Sequence, residues 1–258
     1  MIGGIGNQMF QYALFRRLKN MYDDVYYESF YAKPHHNGFE LENTFNIIQN
    51  PLIDKTVLDK LIRFQENTWP HFNPEILNKK DGTYLCGNWQ NIGYFPEESI
   101  LRNELSFKQE LDEKNKDILK EIKETNSISI HARRGDFLHD GLNHFFPDWF
   151  NYYGLAVSYI MKNTNKRPIK FFVFSDDIDW CKKNFMISAT YVENKKNDSW
   201  KDMMLMSNCK HNIITNSTFS WWGAWLNNNL NKIVVNPKHW LLNDRATDNI
   251  ALKEWIKI

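Results

Sequence analysis

The sequence has 258 residues, 42% of them hydrophobic, with 32 Lys and Arg against 31 Asp and Glu. That length supplies one large domain or two of ordinary size, with enough apolar residues for a sizeable core. The near-balance of charge excludes a nucleic-acid binder that works through a broad basic face, and leaves room for a local basic site for a small anion.

In chain order, the run Gly3-Gly-Ile-Gly6 leads into a predicted helix over 7–18, with Met9, Phe10, Ala13, Leu14 and Leu18 along one stripe. A strand is expected at 25–27, a helix over 54–64, a strand at 83–86 and a charged helix over 111–122 that closes the first half. The second half is more regular. Strands are expected at 127–130, 169–174, 190–192, 212–215 and 232–235. Helices are expected over 148–161, from about 177, from a cap at Asp198, and over 219–226. Strands alternating with helices at this spacing mean a parallel sheet covered on both faces. The expected organisation is two domains, 1–125 and 126–258, the second of them Rossmann-like.

Cys86, Cys181 and Cys209 lack metal-ligand spacing and cannot form a closed disulfide set, so free thiols in a reducing compartment are expected. No apolar run is long enough to span a bilayer and no signal-peptide pattern opens the chain. The expected location is the cytoplasm, with peripheral contact to the inner membrane as the alternative. The sequons at Asn197 and Asn216 read as chance matches in an Asn-rich chain.

Open α/β sheets bind ligands at the ends of their parallel strands, and four polar clusters fall at such element junctions. His131, Arg133, Arg134 and Asp136 follow the first strand of the second half. Guanidinium forks match phosphate oxygens, and Asp136 would hold an arginine or meet a ligand hydroxyl. Ser175, Asp176 and Asp177 follow the next strand. Asp177-Ile-Asp179 has the form of a metal-binding Asp-x-Asp, but its place at the head of a helix favours capping by one carboxylate, with the other left for a base or ribose. Asn216, Ser217, Thr218 and Ser220 open the helix that carries Trp221, Trp222 and Trp225. Ser217 and Thr218 suit phosphate and Phe219 suits a base, whereas the tryptophans suit the core. Gly4, Gly6 and Asn7 permit close backbone approach to a ligand, or simply start a helix. Met9 stands where the dinucleotide fingerprint has its third glycine, which disfavours NAD. The loop histidines His35, His36, His139 and His144 lack zinc spacing.

Taken together, Gly3-Gly-Ile-Gly-Asn-Gln-Met-Phe-Gln-Tyr12, Tyr84-Leu-Cys-Gly-Asn-Trp-Gln90, His131-Ala-Arg-Arg-Gly-Asp136, Phe174-Ser-Asp-Asp177 and Asn216-Ser-Thr-Phe-Ser-Trp-Trp-Gly-Ala-Trp225 resemble the ordered motifs of family-11 glycosyltransferases, chiefly α-1,2-fucosyltransferases. The resemblance runs the length of the chain. It implies an α/β, GT-B-like fold with two Rossmann-like domains facing across a cleft, the first on the acceptor side and the second binding the GDP-sugar. It implies GDP-β-L-fucose as co-substrate, inversion, and no metal or other cofactor. The implied acceptor is a galactose-containing glycan or a lipid-linked oligosaccharide, met by loops 33–39 and 137–148. Arg133 is implied on the β-phosphate, Asn7 near the reacting bond, and Ser217, Thr218 and Phe219 on phosphates and base. By residue type and position, Gly4, Gly6, His131, Ser175, Asp176, Asp177 and Asn216 are added as candidate contacts of the donor, with Asp136 beside Arg133 as catalytic candidate or organiser. Other readings are a transferase for another nucleotide sugar and a GDP-sugar-binding homologue with impaired catalysis. Family members carry an opening strand before Gly3, where this sequence has two residues: either the start is truncated or misassigned, or the first strand is nearly absent, and a missing central strand would expose sheet edges.

Overall fold

The computed structural model describes residues 1–32, 37–50, 53–135, 149–164, 168–240 and 250–258, except the side chains of 149 and 150. The chain forms two compact units, Met1–Gln109 and Glu110–Ile258. The division precedes the charged helix, where the sequence reading puts it behind, because that helix packs on elements of the second unit.

The first unit is built around α1 (Ile5–Lys19). Gly3 has φ +80°, and a Cβ there would lie 2.7 Å from the Asn7 Nδ2, so glycine is required at the entry. The predicted stripe is buried but too narrow: Tyr12, Phe15, Gln8 and Arg16 are buried as well. The buried polar groups have partners. Gln8 Nε2 donates to the carbonyls of Gly3 (2.8 Å) and Gly38 (2.7 Å). Arg16 Nε pairs with Glu104 Oε2 at 2.7 Å, and the Tyr12 hydroxyl donates to the same oxygen at 2.6 Å. Burial first, and that hydrogen bond second, push the Tyr12 pKa far above its ordinary value.

Short helices α2 (Leu41–Thr44) and α3 (Lys55–Leu58) follow. The expected helix over 54–64 is corrected. Asp54 caps α3 through the Thr56 N–H at 2.9 Å, but the helix ends at Leu58 and β1 (Ile62–Gln65) begins. Leu58 is the one buried residue of α3, so a longer helix would have little to pack, and a helix this short has little stability of its own. A parallel ladder with β2 (Thr83–Cys86) satisfies the backbone instead, with Ile62 opposite Thr83. The expected strand at 25–27 is corrected: the segment belongs to no ladder among the described residues. There Asn50 supplies the partner groups, accepting from the Tyr27 N–H (2.6 Å) and donating to its carbonyl (3.2 Å). A cavity of about 1210 Å³ is lined by this segment, by β2 and by Leu14, Phe15 and Leu18 of α1. The unexpected helix α4 (Glu98–Glu104) supplies Glu104.

The second unit begins with α5 (Glu113–Glu124), capped by Asp112 accepting from the Asn115 N–H at 3.0 Å. The strands are β3 (Asn126–Ala132), β4 (Ile169–Ser175), β5 (Ala189–Val192), β6 (His211–Ile213), β7 (Val234–Asn236) and the unexpected β8 (Ile256–Lys257). All are parallel, in the order β5-β4-β3-β6-β7-β8. This is the doubly wound order, and the winding reverses between β3 and β6. Every residue of β3 is buried, as befits a strand covered on both faces. The helices are α6 (Trp149–Asn163), α7 (Ile178–Asn184), α8 (Ser199–Asn208) and α9 (Thr218–Trp225). Ile128, Ile130 and Val173 pack with Tyr152, Tyr153, Ala156 and Ile160 of α6. Asp198 stands at the start of α8 as expected, but its carboxylate pairs with Lys201 at 3.0 Å in place of a backbone cap. Cys86, Cys181 and Cys209 are free thiols. No helix among the described residues is long and apolar enough to cross a membrane.

Candidate functional site

The winding reversal sets the ends of β3 and β6 side by side, Ile130 being opposite Ile213. Consecutive tyrosines of α6 brace both ends. Tyr153 donates to the His131 carbonyl at 2.8 Å, while Tyr152 donates to the carbonyls of Ile214 and Val235. His131 is buried, with its ring 5.4 Å from that of Phe219 at the head of α9. Burial, aided by the charge of Arg133, lowers its pKa to about 3, so the imidazole is neutral. Its Nδ1 has no hydrogen-bond partner among the described residues.

Beyond the ladder, register continues to organise side chains. Ala132 is opposite Ser175, so Arg133 and Arg134 emerge beside Asp176 and Asp177. Arg133 Nη1 lies 3.0 Å from Asp176 Oδ2, with the arginine side chain 27% exposed. Arg134 is 13% exposed, pairs with Asp177 Oδ2 at 3.1 Å and lies 3.7 Å from the centre of the Trp180 ring. The second Asp177 oxygen caps α7 by accepting from the Trp180 N–H at 3.1 Å. Ser175 Oγ accepts from the Asp177 N–H at 3.0 Å. The side-chain contacts of Ser175, Asp176 and Asp177 described here thus bind their own loop and the arginines.

Ser217 is the N-terminal cap residue of α9 with extended backbone, and its side chain makes no cap hydrogen bond. Thr218 opens the helix, so the first-turn N–H groups and the positive end of the helix dipole gather here. The Asn216 side chain is buried and turned away, donating to the Trp240 carbonyl at 3.0 Å and accepting from the Thr215 hydroxyl at 2.9 Å. The same burial excludes the Asn216 sequon from modification in the folded state. Trp221 and Trp222 are fully buried, with rings 5.0 Å apart, as the core assignment requires.

In the first unit, Gly4 is the cap residue of α1 and Gly6 is buried within its first turn. Asn7 Oδ1 accepts from Gln90 Nε2 at 3.0 Å, joining two of the recognised motifs. Asp136, His35, His36, His139, His144 and loop 137–148 lie outside the described residues, as does most of loop 33–39. Sequence reasoning missed Trp180, Gln90 and Tyr153. The available signal for Trp180 was its place three residues after a capping aspartate, where its backbone N–H is fixed.

The family model described as Glycosyl transferase family 11 matches residues 1–258. Two Escherichia coli proteins are each 32% identical to this chain: an α-1,2-colitosyltransferase, covering 99% of this chain and 96% of the relative, and the O-antigen biosynthesis glycosyltransferase WbnK, covering 99% and 98%. The galactoside α-(1,2)-fucosyltransferase 1 of Aotus azarae is 26% identical over 49% of this chain and 37% of its own length. The crystal structure of fucosyltransferase NodZ from Bradyrhizobium is similar with a TM-score of 0.51 and 14% identity, covering 88% of this chain and 91% of that one, a likeness of fold that sets the class as GT-B-like α/β. The family model spans the whole chain and two relatives are 32% identical over 99% of it: the chain belongs to glycosyltransferase family 11 and is a glycosyltransferase.

Proposed function

We propose that this glycosyltransferase moves L-fucose from GDP-β-L-fucose to the 2-hydroxyl of a terminal galactose in a surface-glycan precursor, with inversion at the anomeric carbon. The observation that carries this reading is Arg133 at the end of β3, with α9 rising from the end of the adjoining β6. The fucosyl and O-antigen relatives support the sugar and the acceptor class. In the reaction, the bond between the anomeric carbon and the phosphate oxygen breaks and GDP takes the electron pair. The acceptor oxygen attacks the opposite face and its proton is released to solvent water. Arg133 and the α9 N-terminus meet the charge that grows on the leaving phosphate. Phe219, backed by the buried neutral ring of His131, is the apolar surface against which the base stacks.

Calorimetry with GDP and UDP tests the donor class. Tighter binding of UDP would overturn it. Transfer persists in excess EDTA on this reading, and a complete loss reversed by Mg²⁺ or Mn²⁺ would contradict it. An acceptor array with GDP-fucose tests the linkage. A second reading takes a colitosyl donor, and is favoured by the 32% identity to the colitosyltransferase. Colitose lacks the 3-hydroxyl of fucose, so the ratio of kcat/KM for the two donors separates the readings.

A further inference from the structure

The two arginines of the His131-Ala-Arg-Arg-Gly-Asp136 segment have unequal surroundings, and the difference traces to one carboxylate. Asp176 takes donors from three successive residues of the β3 loop. Its Oδ1 accepts from the Arg134 N–H at 2.8 Å. Its Oδ2 accepts from the Gly135 N–H at 3.0 Å and meets Arg133 Nη1 at 3.0 Å. The loop closes this tightly only over a glycine, since a Cβ at position 135 would lie 2.7 Å from Asp176 Oδ2. Arg134 is held otherwise, between Asp177 and the Trp180 ring.

We infer that Asp176 is a positioning residue. It fixes the backbone of the β3 loop and turns the Arg133 guanidinium towards the donor diphosphate, while Arg134 is a structural strut that does not bind the donor. The inference rests on the proposed use of Arg133 on the leaving phosphate. A guanidinium carries five N–H donors in a fixed plane, more than a carboxylate contact uses, so one side chain can hold Asp176 and phosphate oxygens together. Without the Asp176 carboxylate the guanidinium loses one of the contacts that set its direction, and the fraction aimed at phosphate falls. Asp176 thus acts on the donor through Arg133.

A double-mutant cycle tests this, with GDP as the probe because GDP carries the charge that the phosphate develops during transfer. Calorimetry is run on the wild type, Arg133→Ala, Asp176→Ala and the double variant, with urea midpoints recorded for all four. Arg133→Ala weakens GDP binding tenfold or more, and Asp176→Ala about tenfold, each tenfold step being about 1.4 kcal/mol. In the Arg133→Ala background, Asp176→Ala changes binding less than about twofold. Additive losses with an unchanged urea midpoint would overturn the proposal and make Asp176 a direct donor contact. Equal losses in both backgrounds with a fall in urea midpoint would overturn it in favour of a purely structural role. Unchanged GDP binding in Arg133→Ala would defeat the underlying assignment of Arg133, a result separate from either. Asp176→Asn keeps an acceptor oxygen for the Arg134 N–H and removes the charge facing Arg133. Its amide nitrogen then faces the Gly135 N–H, so the urea midpoint falls, but less than in Asp176→Ala, and the variant shows the same coupling, which keeps the test decisive if the alanine variant folds poorly. Arg134→Lys, with Trp180 still beneath it, leaves GDP affinity within about threefold but lowers the urea midpoint, and a tenfold loss of affinity there would contradict the division of roles.

Discussion

The two units hold their backbones by different means. In the second unit six parallel strands satisfy one another along continuous ladders, and side chains are left to build a site at the strand ends. In the first, one two-stranded ladder among the described residues is supplemented by side chains that bond to the backbone where no ladder does. Asn50 serves segment 25–27, Gln8 ties residues 3, 38 and 40 together, and Glu66 accepts from the N–H groups of Asn88 (2.7 Å) and Trp89 (3.1 Å). A ladder spreads its support over many equivalent bonds, so losing one matters little. Anchoring by single side chains concentrates it, so losing one frees a whole segment.

The largest expected effect is in the first unit. Glu104→Ala strands Arg16 as a buried, uncompensated charge and unties Tyr12, costing about 3–5 kcal/mol. Hydrogen exchange would show faster exchange within Met1–Gln109 and little change in β3–β7. Uniform acceleration over both units would break the contrast between them. Arg133→Ala in the second unit should lower transfer by about 10²–10³ while the urea midpoint holds. Near-normal turnover would remove the phosphate assignment.

The next effect is set by pH. His131 stays neutral in the folded chain down to about pH 3, whereas its ordinary pKa is 6.5. Between those values the unfolded chain binds the extra proton. Stability is therefore full above pH 6.5 and falls as the pH drops through that window, with a slope of up to about 1.4 kcal/mol per pH unit. His131→Asn should flatten that slope by the same amount in urea titrations at pH 4–7, and an unaltered slope would refute it. Smallest is Tyr153→Phe, which removes one donor from the end of an otherwise intact ladder. It should cost about 1 kcal/mol in urea unfolding. A loss equal to that of Glu104→Ala would show that the second unit is no better distributed than the first.

How far the sequence could be read follows the same division. Ladder strands advertise themselves through runs such as Ile169–Ser175, and parallel order follows from their alternation with helices, so the second unit and the positions of His131, Arg133, Ser217 and Thr218 were legible. Strand 62–65 was not. Arg63 and Gln65 break the apolar pattern, Ile62 is 75% exposed, and its pairing partner lies some 20 residues on, beyond any local window. Gln90 on Asn7 and Glu104 on Arg16 were invisible for the same reason, since each contact joins residues far apart in the chain. The pairing of Arg133 with Asp176 is intermediate. The residue types were evident, but which carboxylate meets which arginine depends on the register of β3 against β4, which composition does not encode.

Tyr152 and Tyr153 of α6 have one further consequence. Being adjacent on a single helix, they grip the backbone on both sides of the winding reversal, one by the end of β3 and the other by the ends of β6 and β7. The helix therefore behaves as a calliper locked at one opening. Displacing it carries both jaws together, so the ends of β3 and β6 move in step. Substitutions along the buried face of α6 should then shift nucleotide affinity in concert without widening the range of nucleotides accepted.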